Sequence, residues 1–378
     1  MTSHTRSLAV VRAEFTAVIP ELLIFSGLPK FRTRFIGYTE NGSEWNSFSN
    51  FEHVDVDFQI PKRLMSLTVR RPHSPASLVT LTSLQPLLDA EMIETAELYS
   101  SISSQCAKFA KRKNKKMVVT VFETLTGPSI WRMPPYAFNV ARVKQMAQLF
   151  LAHSKRAASY LRSMGVPEEK ISLVYPGIDL QEFSPSPERP HNGFRVLFVG
   201  RFDREKGLAY LLEAFSKLYR ERNDAELWIV TKPSRGNVEL LAREYAQRLP
   251  VRLIPRRNRV NLPRLYQECD VLCLPSVDRN WHGLRIWEEQ FGFVLIEAMA
   301  CGLPVIGTDC GAIPEVIGKD NPIVPQGSSV AILRELQRLS EDRKLRQLLS
   351  QRNRSRAEEL FDLSKQRTLT ERLLSEVF

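Results

Sequence analysis

Short apolar runs alternate with amphipathic stretches along this chain, and that alternation limits it to few architectures. Met117–Phe122, MVVTVF, is apolar and β-branched throughout, the pattern of a parallel strand buried on both faces. Leu149–Ala152, Phe194–Val199, Ala225–Thr231, Val251–Ile254 and Val271–Leu274 read as further strands. Helices are expected over Ser154–Met164, Gly207–Arg220, Val238–Arg248 and Leu262–Cys269, and from Val330 onward. Earlier in the chain, residues 7–12, Arg34–Tyr38, Val54–Gln59, Leu78–Thr82 and Leu87–Ile93 are strand candidates, with helices near Thr16–Phe25 and from Glu97. The reading is α/β.

At 378 residues the chain exceeds one ordinary core. The proline-rich stretch Pro176–Asn192 is the best place for a break. The expected division is 1–183 as a first domain, 184–192 as linker, 193–360 as a second domain and 361–378 as a C-terminal helix. Two such halves imply a cleft that the strand carboxyl ends of both would face.

Composition excludes several classes. With 43% hydrophobic and 25% charged residues the chain is globular, and no apolar run is long enough to span a bilayer. The N-terminus lacks a signal-peptide pattern. Five scattered cysteines without ligand-spaced histidines argue against zinc and suit reduced thiols, so a cytoplasmic location and no metal are expected. The net charge of +11 suits phosphate-bearing ligands. Its sharpest cluster, Lys108–Lys116, is either a solvated helix end or a contact with anionic membrane at its inner face. No interleaved aromatics accompany it, so nucleic acid is not expected.

Two segments carry chemistry. Glu289 and Glu297 stand eight positions apart across a glycine bend that feeds a helix, and Gly302 and Pro304 stop that helix before a short strand. A helix N-terminus favours anions and hydroxyl oxygens, and carboxylates beside it accept hydrogen bonds from sugar hydroxyls. Taken alone, the pair also fits an amphipathic helix with surface glutamates. The second segment is Gly200–Gly207, GRFDREKG, directly after a strand. Gly200 permits the turn, and Arg201 and Lys206 offer a fork of donors and a compact charge, a combination suited to a pyrophosphate. A charged surface turn is the plainer reading.

GRFDREKG, then Leu274-Pro275-Ser276, then EQFGFVLIEAMACGLPVIGTDCGAIPEVI together resemble the retaining glycosyltransferases of family 4, the glycosyl transferases group 1, with the GT-B fold. The resemblance is strong over Phe194–Ile317, weaker over Leu149–Phe183 and weakest before Leu87. It implies two Rossmann-like domains facing a central cleft, with the C-terminal helix crossing back to the first. It implies a nucleotide-diphosphate sugar as donor, no further cofactor, and a glycan, lipid-linked or small-molecule acceptor. Arg201 and Lys206 match the family's basic pair on the diphosphate, and Glu289 the glutamate at the sugar hydroxyls. Phe291, Gly292 and Phe293 match the backbone amides near sugar and phosphates, and Glu297 the glutamate on the ribose. Arg256, with Arg257, falls where the family meets the nucleotide base, or lies on the surface. Retention by front-face attack, the departing phosphate helping to deprotonate the acceptor, is what the family implies.

The sequence departs from the family on the first half. Where a Gly-Gly loop is common, it reads Arg12-Ala13-Glu14-Phe15-Thr16. A common histidine after the strand MVVTVF is replaced by Glu123, which either approaches the sugars or caps the strand end. Glu97 carries the same two readings, and His153 reads as structural. Trp281, His282 and Trp287 either rim the acceptor or pack inward. The expected function is hexosyl transfer; the alternative is a non-catalytic protein of this fold that binds a nucleotide sugar or a partner transferase.

Overall fold

The computed structural model describes residues 5–14, 20–38, 52–56, 58–59, 78–127, 129–186, 193–232, 234, 236–255 and 262–378. Two compact units emerge, Met1–Gly177 together with Leu363–Phe378, and Ile178–Asp362.

The first unit is built on a parallel sheet of β1 (Arg6–Glu14), β2 (Phe31–Tyr38), β3 (Glu52–Asp55), β4 (Met92–Ala96), β5 (Lys116–Val121), β6 (Leu149–Ala152) and β7 (Ile171–Leu173). Their spatial order is β3-β2-β1-β4-β5-β6-β7, so the winding reverses between β1 and β4. Side chains alternate across β1. Ala9 and Val11 face one core with the inner surfaces of α1 (Ser101–Lys113), α2 (Tyr136–Met146) and α3 (Lys155–Ser163). Leu8 and Val10 face the other, closed by Leu22–Phe25 and by Leu363 and Leu374 of the C-terminal helix Leu363–Glu376. That helix has crossed back to the first unit, as the family resemblance implies.

The second unit carries β8 (Phe194–Val199), β9 (Ala225–Thr231), β10 (Val251–Pro255), β11 (Val271–Leu274), β12 (Val305–Thr308) and β13 (Ile323–Val324), all parallel, in the order β10-β9-β8-β11-β12-β13. The same reversal recurs between β8 and β11. Its helices are α4 (Leu208–Glu221), α5 (Asn237–Arg248), α6 (Leu262–Gln267), α7 (Phe293–Ala300), α8 (Ile313–Ile317), α9 (Ser329–Glu341) and α10 (Arg343–Leu360). Both units are therefore Rossmann-like.

Several elements differ from the sequence expectation. The strand expected over Leu87–Ile93 begins only at Met92, because Pro86 sets a 3-10 turn at Gln85–Leu87. Helix α2 and the hairpin of Arg279–Trp281 with Leu284–Trp287 were not anticipated. Residues 178–183, expected in the first half, pack with the second unit. There Phe183 is fully buried, and the Arg354 guanidinium of α10 donates to the carbonyls of Phe183 (2.9 Å) and Ala300 (2.8 Å). Of the expected linker, residues 187–192 lie outside the described residues, as do 16–19 of the expected early helix.

At the winding reversal of the first unit, Arg12 at the end of β1 is buried and forks onto Glu94 of β4, at 2.8 and 3.1 Å. Thr120 of β5 donates to the same carboxylate at 2.6 Å, so one buried charge ties three central strands. Removing one partner of such a pair strands the other. Arg12→Ala should lower the unfolding free energy by about 3–5 kcal/mol in urea titrations, and Arg12→Met with Glu94→Leu should recover most of it.

Candidate active site

The loop after β8 is fixed by close approach. Gly207 has φ of +68°, and a Cβ there would lie 1.8 Å from the carbonyl oxygen of Pro275, which follows β11. Val277 N–H donates to the Glu205 carbonyl at 2.8 Å, and Arg279 pairs with Glu205 at 2.7 Å. The two loops flanking the winding reversal are thus joined along their backbones, and Lys206 is held between them.

Lys206 Nζ lies 2.6 Å from Glu289 Oε2, and Ser276 Oγ donates to that same oxygen at 2.8 Å. Glu289 is buried, and the Lys206 ammonium also stands 5.2 Å from the centre of the Trp287 ring. The backbone of Glu289 is gripped in turn. Ala312 N–H donates to its carbonyl at 2.8 Å, and its own N–H reaches Cys310 Sγ at 3.3 Å. Only glycine fits at Gly311, where a Cβ would come within 2.0 Å of the Glu289 carbonyl oxygen. Burial pushes the Cys310 thiol far up, so it stays protonated and donates to Asp278 at 3.1 Å.

Three residues on, Gly292 turns the chain at φ of +80° into α7 and accepts the Leu295 amide at 2.8 Å; the first amides of a helix lie outside its own i to i−4 ladder. Phe291 is buried edge-on against Phe361, fixing that entry. Glu297 lies one turn into α7, buried, and accepts the Tyr266 hydroxyl at 2.6 Å. Arg201 projects outward with its Nε 2.7 Å from Asp203. The structure therefore brings Lys206, Ser276, Glu289 and the α7 amino end onto one edge of the second sheet, with Gly200 and Arg201 at the start of the same loop. Arg256 and Arg257 lie outside the described residues.

In the first unit Glu97 follows β4 with φ of +66°, unusual for a side chain with a Cβ. Its Oε1 accepts the amides of Phe122 and Glu123 at 2.8 and 3.1 Å. Glu123 accepts the amides of Thr124 (2.8 Å) and Leu125 (2.9 Å) on one oxygen and the Trp131 indole (2.7 Å) on the other. These two carboxylates build the loop after β5. Trp131 stacks on Tyr99 at 3.7 Å. Burial, reinforced by the charges of Glu97 and Glu123, drives the Tyr99 and Tyr160 phenols well up, so both remain neutral. His153 is buried with Nδ1 on the Val174 carbonyl, and burial lowers its pKa to about 4.

Comparison with known proteins bears on the family and the fold. The model for glycosyl transferases group 1 matches residues 179–356, and that for glycosyltransferase family 4 matches residues 46–182. The chain belongs to the group 1 glycosyltransferases. It is 32% identical over 201 residues to an MMP alpha-(1->4)-mannosyltransferase of Mycolicibacterium hassiacum, covering 50% of this chain and 45% of that one. It is 31% identical over 218 residues to a D-inositol 3-phosphate glycosyltransferase of Streptomyces bingchenggensis, covering 52% and 46%. The chain thus spans about half the length of these curated relatives. In fold it resembles Anabaena HepE in complex with UDP and glucose, with a TM-score of 0.76, 16% identity and coverage of 97% and 99%. The sucrose-phosphate synthase of Thermosynechococcus elongatus gives 0.71, 19% identity and 99% of each chain. These GT-B structures match the two Rossmann-like units.

Ser276, Cys310 and Tyr266 hold the glutamates of this glycosyltransferase chain, and no local pattern marks these contacts; only the Leu274-Pro275-Ser276 block points to the first. Among the described residues no cluster of His, Cys, Asp and Glu is arranged to hold a metal ion, and no helix is long and apolar enough to cross a membrane.

Two outcomes follow from this packing. Gly207→Ala should destabilise by about 3 kcal/mol or more, since the chain must retreat from Pro275, whereas Gly283→Ala, with nothing within 4 Å, should cost only about 1–2 kcal/mol of backbone strain in the same melts. His153 is charged in the unfolded chain below its ordinary 6.5 but neutral in the fold down to about 4. Its contribution is present above pH 6.5 and lost as pH falls toward 4, on the order of 3 kcal/mol. His153→Gln should flatten that part of the stability–pH curve in urea titrations.

Proposed function

We propose that this protein transfers a hexose from a nucleotide-diphosphate sugar to a glycan, lipid-linked or small-molecule acceptor, with retention at the anomeric carbon. The observation that carries the reading is the shared oxygen of Glu289. One carboxylate, oriented by Lys206 and Ser276, stands at the winding reversal of a Rossmann-like unit, beside the amino end of a helix. Open α/β sheets bind nucleotides at that edge. Lys206 spends one of its three donors on Glu289 and has others for a diphosphate, and Arg201 sits five residues away on the same loop.

In this reading Lys206, Arg201 and the α7 amides stabilise the charge that grows on the diphosphate as the sugar–oxygen bond breaks. Glu289 orients the sugar hydroxyls, and the acceptor oxygen attacks from the face the diphosphate leaves, giving up its proton to that phosphate. Glu297, already fixed by Tyr266, is the candidate for the ribose. HepE was crystallised with UDP and glucose, so UDP-hexoses head the panel of donors.

A thermal-shift series with UDP-, GDP- and ADP-sugars should raise the melting temperature with one nucleotide series, because binding only to the folded state stabilises it. Arg201→Ala should weaken that binding by roughly tenfold or more, the scale of a lost charge-assisted hydrogen bond. Glu289→Gln should keep the fold and lower transfer by about a hundredfold or more. A protein that melts at the same temperature with every nucleotide sugar would favour a non-catalytic role. A product with inverted anomeric configuration by NMR would remove the front-face mechanism.

A further inference from the structure

The net positive charge is not spread over the chain. The first unit, residues 1–177 with 363–378, holds 25 Lys and Arg against 16 Asp and Glu, while the second is nearly balanced at 28 against 26. Within the first unit the imbalance concentrates in one layer. Helices α1, α2 and α3 contain nine Lys and Arg and no acidic residue. They lie on one face of the sheet, sharing one core. Direct contacts join them side by side. Asn139 of α2 donates to the Tyr99 carbonyl just before α1 at 3.0 Å, and Lys144 of α2 donates to Met164, just past α3, at 2.9 Å. Glu168, beyond α3, holds Arg162 at 2.6 Å. Lys108, Lys111, Arg112 and Lys113 are exposed, and none has an acidic partner among the described residues.

The same layer exposes two large apolar side chains. Met133 is 59% and Phe138 65% accessible, on either side of the exposed Pro134-Pro135 that opens α2. A helix dipole explains cations at the end of α1. It explains neither the lack of acids across three helices nor solvent-facing Phe138.

We infer that the α1–α3 layer docks on an anionic phospholipid surface, with Lys108, Lys111 and Arg112 on the headgroups and Met133 and Phe138 inserted at the interface. Phosphate oxygens supply the charge that this face lacks, and the apolar boundary beneath the headgroups accommodates side chains that water does not favour. Nucleic acid would meet the charge but leave Met133 and Phe138 without a role.

Flotation of the full chain with vesicles of phosphatidylcholine, alone or mixed with phosphatidylglycerol, tests this. The protein should float with the anionic vesicles only, and added salt should release it. Lys108→Ser, Lys111→Ser and Arg112→Ser together should lower the partition on the order of a hundredfold. Met133→Ser with Phe138→Ser should lower it further while leaving binding to heparin unchanged. No flotation with anionic vesicles, equal flotation with neutral ones, or indifference to Met133→Ser with Phe138→Ser would each overturn the proposal. Duplex DNA bound equally by the parent and by Met133→Ser with Phe138→Ser, with no flotation of either on anionic vesicles, would assign the face to nucleic acid instead.

Discussion

One oxygen atom organises the second unit. Glu289 Oε2 receives a hydrogen bond from Lys206 on the loop after the first strand and from Ser276 on the loop after the fourth. These loops meet because the winding of the sheet reverses between their strands, leaving both carboxyl ends uncovered. Neither loop could approach without the missing side chain at Gly207, nor could the third loop seal against Glu289 without that at Gly311. The charge arrangement is therefore a product of backbone packing.

The first unit repeats the strand order and fills the equivalent place differently. There a buried arginine, Arg12, occupies the end of the first strand and is neutralised by Glu94. The loop after β5 is held by Glu97 and Glu123, each accepting main-chain amides. The carboxylates of this unit serve to shape the backbone, whereas in the second unit a carboxylate is presented by it. The same fold thus carries two electrostatic designs.

Much of the second unit was legible from sequence because its strands are continuous apolar runs and its glycines mark real turns. Phe194–Val199, Ala225–Thr231 and Val271–Leu274 have the bounds that their composition predicts. Helix α2 begins directly after Pro134-Pro135, and a proline pair marks a helix start no more distinctly than a break, so composition does not reveal it. Ser276 and Cys310 were not assigned since their roles come from residues 13 and 21 positions away from Glu289, a proximity that no local spacing encodes. The loop contacts of Glu123 are not visible in local spacing because one of its partners, the Trp131 indole, reaches back across the loop.

The return of Leu363–Glu376 to the first unit has a consequence for the order in which the chain takes shape. Leu8, Val10, Phe25 and Phe35 share their core with Leu363 and Leu374, more than three hundred residues away along the chain. During synthesis the sheet of the first unit emerges early, yet one face stays uncovered until that helix has been made. Ile178–Asp362 is continuous and complete before then. Closure of the first unit therefore depends on residues made only after the whole of the second, and its apolar face stays open throughout the synthesis of Ile178–Asp362.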